Sequence, residues 1–342
     1  MKKSPILVLN LLFLGVSSFL LFAFFWNGER VATEVRDDAE MEVVFFAGGS
    51  ENGIFAPIVA KGARLAGDHL DTKVRIVWSQ WDVDKMVMQF KEELEKRPDA
   101  ISMMGHPGMD KLSSLVKEAR RKGVIVTMQN VDIPALREPL SASGFGYVGA
   151  NLENSGRLLA EGMVRKFGLK AGEVAIVFQS YSAQSETRGK RGSGVVKALR
   201  RQGLIVHSIN PPYLHTQDSS TPEARAFIRD TLSSIDKLSV IVNDGILNNE
   251  PIIDELKAVG LGPGEIKYGT FDLSRASVEH LKTGYVGLVH DQQPLLQGYY
   301  SVLQAYMAKK YRFSGLYVDT GLGLIDAAML ADVEPLFESG LR

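Results

Sequence analysis

Residues 238–245 read Leu-Ser-Val-Ile-Val-Asn-Asp-Gly, a short apolar run rich in β-branched residues that stops at a polar pair and a glycine. It is too short for a buried helix and does not alternate with polar residues. It therefore reads as a strand covered on both faces, as strands of a parallel sheet are. Ligands of open α/β sheets bind beyond the carboxyl ends of the strands, which marks Asn243 and Asp244 as candidates. Either could instead cap the helix that follows.

The same pattern recurs along the chain. Strands are expected at residues 41–49, 74–78, 97–104 and 123–128, then at 173–178, 204–209, 266–272 and 286–293. Helical spacing fills the intervals, including helices over 57–70 and 295–310 and one opening at Asp82, where Asp82 and Asp84 suit capping. Strand and helix in alternation predict βαβ units on a parallel sheet. About 300 residues suit two such α/β domains of roughly 150 each.

The N-terminus is different. Residues 6–26 are almost uninterruptedly apolar behind Lys2 and Lys3, long enough to cross a bilayer as a helix. Residues 1–30 thus read as a signal peptide or membrane anchor, and the bulk of the chain as exported. No small-x-small cleavage site follows Trp26 beyond a marginal Val31-Ala32-Thr33, which favours an uncleaved anchor. The absence of cysteine excludes a lipid-modified cysteine and a disulfide framework. Lys+Arg of 39 against Asp+Glu of 40 leaves a net charge of −1, with no basic field for nucleic acid.

Several marks stand in a specific order. Phe55 precedes the Lys61-Gly62-Ala63 helix, then come Pro98-Asp99-Ala100-Ile101 and Tyr147-Val148-Gly149 before an Asn-x-x-Asn-x-Gly turn. They continue with Arg191-x-x-Gly194, Val242-Asn243-Asp244-Gly245, Gly269-Thr270-Phe271-Asp272, and Gln292-Gln293-Pro294 leading to Gln297-Gly298-Tyr299. Over residues 41–335 the chain resembles the periplasmic sugar-binding proteins of ribose-binding type, the substrate receptors of simple-sugar ABC transporters. The resemblance implies the type I periplasmic binding fold, two Rossmann-like lobes with parallel sheets joined by three hinge segments near 147–151, 285–291 and 316–321. Lobe 1 would comprise residues 41–146 with 290–314, and lobe 2 residues 147–289 with 315–335.

It also implies a ligand held between lobes that close by hinge bending. Carried over by position, the contacts would be Phe55 against a sugar's apolar face, His106, Gln129 and Asn130, Arg191, Asn243, Asp272 and Gln292. Plainer readings exist: Phe55 as a core residue, His106 as structural, Arg191 as a solvated helix start with Arg188 as its rival. Gln129-Asn130 departs from the Asp-Arg or Asn-containing pair common in the family, removing a charge; its amides both donate and accept. Tyr213, Trp78 and Trp81 are further aromatics left outside the set.

Other chemistries find little support. Gly144-x-Gly146-x-x-Gly149 matches a dinucleotide fingerprint in letters, but its strand lies inside the motif and not before it. Gly189-Lys190-Arg191 lacks the rest of a P-loop, the six histidines show no metal spacing, and no nucleophile elbow occurs. The expectation is a monomeric receptor, not an enzyme, with no cofactor. It would sit in the periplasm, free or tethered through residues 1–30, and bind a sugar or polyol for an ABC permease. The alternative is a membrane-anchored sensory receptor signalling to a kinase or chemoreceptor. A sugar-responsive repressor is disfavoured, because a hydrophobic segment stands where a helix-turn-helix belongs.

Overall fold

A computed structural model describes residues 40–179, 189–212, 221–245 and 249–342. The N-terminal apolar run, Arg188 and Tyr213 lie outside them. Among the described residues no helix is long and apolar enough to cross a membrane.

Two six-stranded sheets organise residues 41–342. The first has the order β2 (Lys73–Val77), β1 (Glu42–Phe46), β3 (Ala100–Met104), β4 (Ile125–Gln129), β5 (Tyr147–Gly149), β11 (Tyr317–Asp319), all parallel. The second repeats it as β7 (Ile205–Ile209), β6 (Val174–Phe178), β8 (Leu238–Asn243), β9 (Lys267–Phe271), β10 (Leu288–Asp291), β12 (Gly323–Ile325). Only the last pairing of the second sheet is antiparallel. The chain therefore folds as two α/β lobes, as the alternation of apolar runs predicts. Both orders reverse between the first and third strands of the sheet, and that reversal opens a crevice at the carboxyl edge.

Side-chain alternation explains why these strands are apolar throughout. Val43 and Phe45 of β1 pack with Ala60, Ala63, Val302 and Ala305 on one face, while Val44 and Phe46 meet Phe90, Leu112 and Val116 on the other. In the second sheet Ile176, Phe178 and Ile241 join Ile252 and Val278, and Val177 and Val242 join Leu159 and Leu199. Each buried Val, Leu, Ile or Phe among them stabilises the fold by about 1.5–3 kcal/mol through burial.

Helix contacts in the two lobes are built alike. In the first, α1 (Ala56–Leu70) lies against α10 (Pro294–Tyr311), where a Cβ on Gly62 would stand 1.9 Å from the Leu295 carbonyl oxygen and one on Gly298 1.9 Å from that of Val59. In the second, α5 (Leu152–Phe167) meets α6 (Lys190–Arg201), where a Cβ on Gly156 would stand 2.1 Å from Arg191 O and one on Gly194 2.2 Å from Glu153 O. Backbone meets backbone in both places, and only glycine permits it.

Three strands fall across the boundaries expected from sequence. Tyr147–Gly149 and Tyr317–Asp319 belong to the first sheet, and Leu288–Asp291 stays in the second to its end. The chain thus passes between sheets at residues 150–151, 292–293 and 320–322. These crossings are laced together. Asp319 Oδ1 accepts from Asn151 N at 3.1 Å and Gly321 N at 2.8 Å, Thr320 N donates to Gly149 O at 3.0 Å, and Gln293 Nε2 to Thr320 O at 2.9 Å. His290, 1% exposed, places Nε2 2.8 Å from the Gly321 carbonyl, so that nitrogen carries the proton.

Two outcomes are expected. Gly298→Ala forces α1 and α10 apart and lowers stability by about 1–3 kcal/mol in denaturant unfolding, whereas Gly262→Ala, where a Cβ meets only the end of the Glu265 side chain, leaves the helix contact intact. The second concerns acid. Burial holds the His290 imidazole below its ordinary pKa, and burial with Lys257 nearby does the same for His280. Above pH ~6.5 these rings are neutral folded or unfolded and the fold keeps its full stability; below it the unfolded chain takes up protons the fold resists. The thermal midpoint therefore falls from pH 7 towards pH 5, and His290→Gln, which keeps a donor for Gly321, makes that fall shallower. An unchanged slope in the variant rules His290 out as a source.

Candidate functional site

The carboxyl edges of both sheets deliver polar and aromatic side chains to the neighbourhood of the crossings. In the first lobe, the switch point lies between β1 and β3. Phe55 follows β1 at the start of α1, and His106 follows β3. Between them stands Trp81, its ring 6.2 Å from that of Phe55 and 5.5 Å from that of His106. The positive φ of Gln80 and Trp81, 56° and 61°, turns the chain, and Trp81 N donates to Gly48 O at 2.9 Å. A Cβ at Gly49 would stand 2.8 Å from Trp81 Nε1, so the glycine pair is the bed of the indole. Phe55, Trp81 and His106 form one continuous aromatic surface.

The two residues at the end of β4 diverge. Gln129 is fully buried and donates Nε2 to Phe46 O at 2.7 Å, bracing β1 from within the sheet; its Oε1 has no partner among the described residues. Asn130 takes a left-handed backbone, φ 65°, and turns outward from the strand direction. Its Nδ2 donates to Gln297 Oε1 at 3.0 Å and reaches Gln292 Oε1 at 3.5 Å. Tyr147 holds that turn from below, with its hydroxyl 3.0 Å from Asn130 O and 2.9 Å from Ala150 O.

In the second lobe Asp272 follows β9, also with positive φ, 68°. Gln292 Nε2 donates to its Oδ1 at 2.6 Å, and Arg191 Nη1 lies 3.6 Å from its Oδ2. The Arg191 guanidinium stacks 4.6 Å from the Phe271 ring centroid, a cation over an aromatic face. The contact between Gly156 and Gly194 decides how closely α6, and with it Arg191, approaches that strand edge. Asn243 is completely buried; its Nδ2 donates to Asn249 Oδ1 at 2.8 Å and to Gly245 O. Asn249 Oδ1 accepts also from Tyr268 Oη and Thr270 Oγ1, each at 2.8 Å. Asn243 thus fastens the start of α8 (Asn249–Ala258), while its own Oδ1 has no partner among the described residues.

The structure joins four sequence-predicted residues in one polar line, hydrogen-bonded from Asn130 to Gln292 to Asp272 and ion-paired from Asp272 to Arg191. It sets Phe55 and His106 together on Trp81, and places Gln129 and Asn243 inside their lobes. Sequence reading missed Gln297, fully buried, whose Nε2 lies 3.1 Å from Gln292 Oε1 and 3.3 Å from Thr320 Oγ1. A glutamine in the first turn of the helix, set among Leu295, Leu296 and Gly298, was the available signal. It also missed Asp291, 1% exposed, which pairs with Arg342 at 2.5 Å. Among the described residues no group of three or more His, Asp or Glu is placed to hold a metal. Chemically, the line offers donors, acceptors, one carboxylate and one cation beside aromatic faces, a set suited to hydroxyl-rich ligands.

Comparison with known proteins identifies the fold and the family. A comparison with curated protein sequences found no match. The fold matches a Burkholderia graminis ABC transporter solute-binding protein solved with D-arabinose, at a TM-score of 0.73 and 20% identity over 87% of this chain and 99% of that one. It matches an Acidothermus cellulolyticus carbohydrate transporter protein solved with myo-inositol, at 0.72 and 19% over 89% and 100%. A putative LacI transcriptional regulator from Bacteroides fragilis has the same fold, at 0.70 and 14% over 86% and 99%. A sequence model of the periplasmic binding protein domain matches residues 43–311, and the chain belongs to that family.

Proposed function

We propose that the chain is an extracytoplasmic receptor that captures a sugar or sugar-like polyol between its lobes and presents it to an ABC permease. One observation carries this reading. Gln292, in a crossing between sheets, links Asn130 at the edge of the first to Asp272 and Arg191 at the edge of the second. Hydroxyls of a bound polyol can replace these mutual contacts one for one, since amides and a carboxylate–guanidinium pair both give and take hydrogen bonds. The aromatic surface of Phe55, Trp81 and His106 suits the apolar face of a ring. Structural neighbours solved with D-arabinose and myo-inositol support the ligand class.

Binding is an equilibrium capture. The ligand engages one lobe, and closure about the three crossings adds the hydrogen bonds of the other, which shifts the population towards the closed form. Gln129 and Asn243 act by holding strand ends in place, and Asn130, Arg191, Asp272 and Gln292 make the contacts. A sensory receptor of the same fold, tethered in the membrane, is the second reading. The apolar run at residues 6–26, with no convincing cleavage site, favours it. The same run stands where a DNA-binding domain would precede a repressor's effector domain.

Thermal unfolding against pentoses, hexoses, polyols and nucleosides tests the proposal. A ligand at about 100 times its Kd stabilises the native state by ~2.7 kcal/mol. Asp272→Ala is expected to weaken binding by ~1–3 kcal/mol, roughly five- to 150-fold, by leaving ligand hydroxyls and Arg191 unpaired. If no sugar or polyol moves the midpoint, or if Asp272→Ala binds as tightly as the parent, the assignment fails. Uptake of the identified sugar in a deletion strain then separates transport, which is lost, from sensing, in which uptake persists.

A further inference from the structure

The first lobe ends, at the pole opposite the candidate site, in an exposed surface of alternating cations and aromatics. Helix α10 begins at Pro294 beside Gln292 and runs for 18 residues, so its last turn lies about 27 Å away. There the sequence reads Lys309-Lys310-Tyr311-Arg312-Phe313-Ser314-Gly315-Leu316. Tyr311, Phe313 and Leu316 are 53%, 59% and 60% exposed. The Tyr311 ring lies 6.1 Å from that of Phe313 and 6.0 Å from that of Tyr306, so the apolar side chains are contiguous and not scattered. The left-handed backbone of Arg312, φ 60°, ends the helix and turns Phe313 out.

The same pole is where the folded chain begins. Lys309 Nζ lies 2.8 Å from Asp99 Oδ1, and Asp99 Oδ2 accepts from the backbone of Glu42, the first residue of β1, at 2.9 Å. Upstream of it, residues 27–40 are all that separate Met41 from the apolar run at 6–26. Lys310 and Arg312 make no ion pair with a described residue. The overall charge of −1 makes this local cationic surface a feature of placement and not of composition.

We propose that this pole rests on an anionic lipid bilayer, with Tyr311, Phe313 and Leu316 in the headgroup layer and Lys310 and Arg312 over the lipid phosphates. Tyrosine and phenylalanine beside Lys and Arg is the composition of membrane-interface segments, and each cation near an anionic surface contributes about fivefold to partitioning. A second copy of the chain is a poorer occupant, because a two-fold contact through this patch sets Lys310 and Arg312 against their own images. Resting on this pole leaves the crossings and the strand edges at the site free, so orientation on the membrane is compatible with ligand capture. The proposal is independent of which ligand the cleft holds.

The chain has no cysteine, so a single engineered one reports cleanly. The full chain carrying Ser314→Cys, labelled with an environment-sensitive dye, is reconstituted in nanodiscs of phosphatidylcholine with or without phosphatidylglycerol. Val259→Cys, exposed in the second lobe, serves as the comparison. The Ser314 label is expected to shift to the blue and to be quenched by lipid-borne quencher in the anionic discs only, while the Val259 label stays unmoved. Adding Lys310→Glu and Arg312→Glu should weaken the contact by at least about twenty-fold and abolish the quenching. A Ser314 label that stays solvent-like in anionic discs overturns the proposal. So does equal quenching in neutral discs or in the charge-reversed chain, and so does a shift that depends on protein concentration without lipid, which assigns the patch to a second copy.

Discussion

Gln292 sits in a crossing between the two lobes, and its amide is satisfied from both. It is 6% exposed, so an unmade hydrogen bond there costs about 1–3 kcal/mol. Its Nε2 is committed to Asp272, its Oε1 to Gln297 and Asn130, and those partners are fixed in turn by strand ends of opposite sheets. Positive φ at both Asn130 and Asp272 is what lets each follow a buried strand and still turn into the crossing. Such a backbone is tolerable for Asn and Asp because their short polar side chains bond locally, and it is a common place for strain to serve binding.

The supporting scaffold is economical in kind. Each lobe brings two helices together through a glycine on each, Gly62 with Gly298 and Gly156 with Gly194, and each contact sits within a few residues of the site. In the first lobe it fixes the helix that starts at Phe55 against the helix that starts after Gln292. In the second it fixes the helix carrying Arg191. The close approach therefore sets the position of three side chains that have no covalent reason to be near one another. Packing of this type is rigid, so a motion about the crossings would carry each lobe as a body without disturbing its strand edges.

Much of this was legible in residues alone. Strands such as Leu238–Asn243 and Val174–Phe178 declare themselves because a strand buried on both faces has to be apolar throughout, and no exposed element has that need. The boundaries between lobes were harder to read. Tyr147–Gly149 is only three residues long, and its outer partner Tyr317–Asp319 is distant in sequence, so nothing local tells which sheet either joins. The pair Gln129-Asn130 shows a second limit. One residue closes the strand and faces Phe46, and the next leaves it towards Gln297, a distinction of a single step in register that the letters do not contain. Trp81 was left outside the candidate set and Gln297 was read only as part of a sequence mark, because their roles come from partners far along the chain.

Mutual bonding among the polar side chains limits how tightly the proposed site can hold a ligand. In the structure Asp272, Gln292, Gln297 and Asn130 are bonded to one another, so a ligand bound as proposed would replace existing hydrogen bonds and gain only the difference. Arg191 is poised between an ion pair at 3.6 Å and a stacked position over Phe271, a looser engagement than the bonds around Gln292. A charge held near but not in contact is cheaper to redirect than one already paired at hydrogen-bond distance. If the proposed ligand binds at this line, the Arg191–Asp272 contact would be the first to be exchanged for its hydroxyls and the bonds around Gln292 the last.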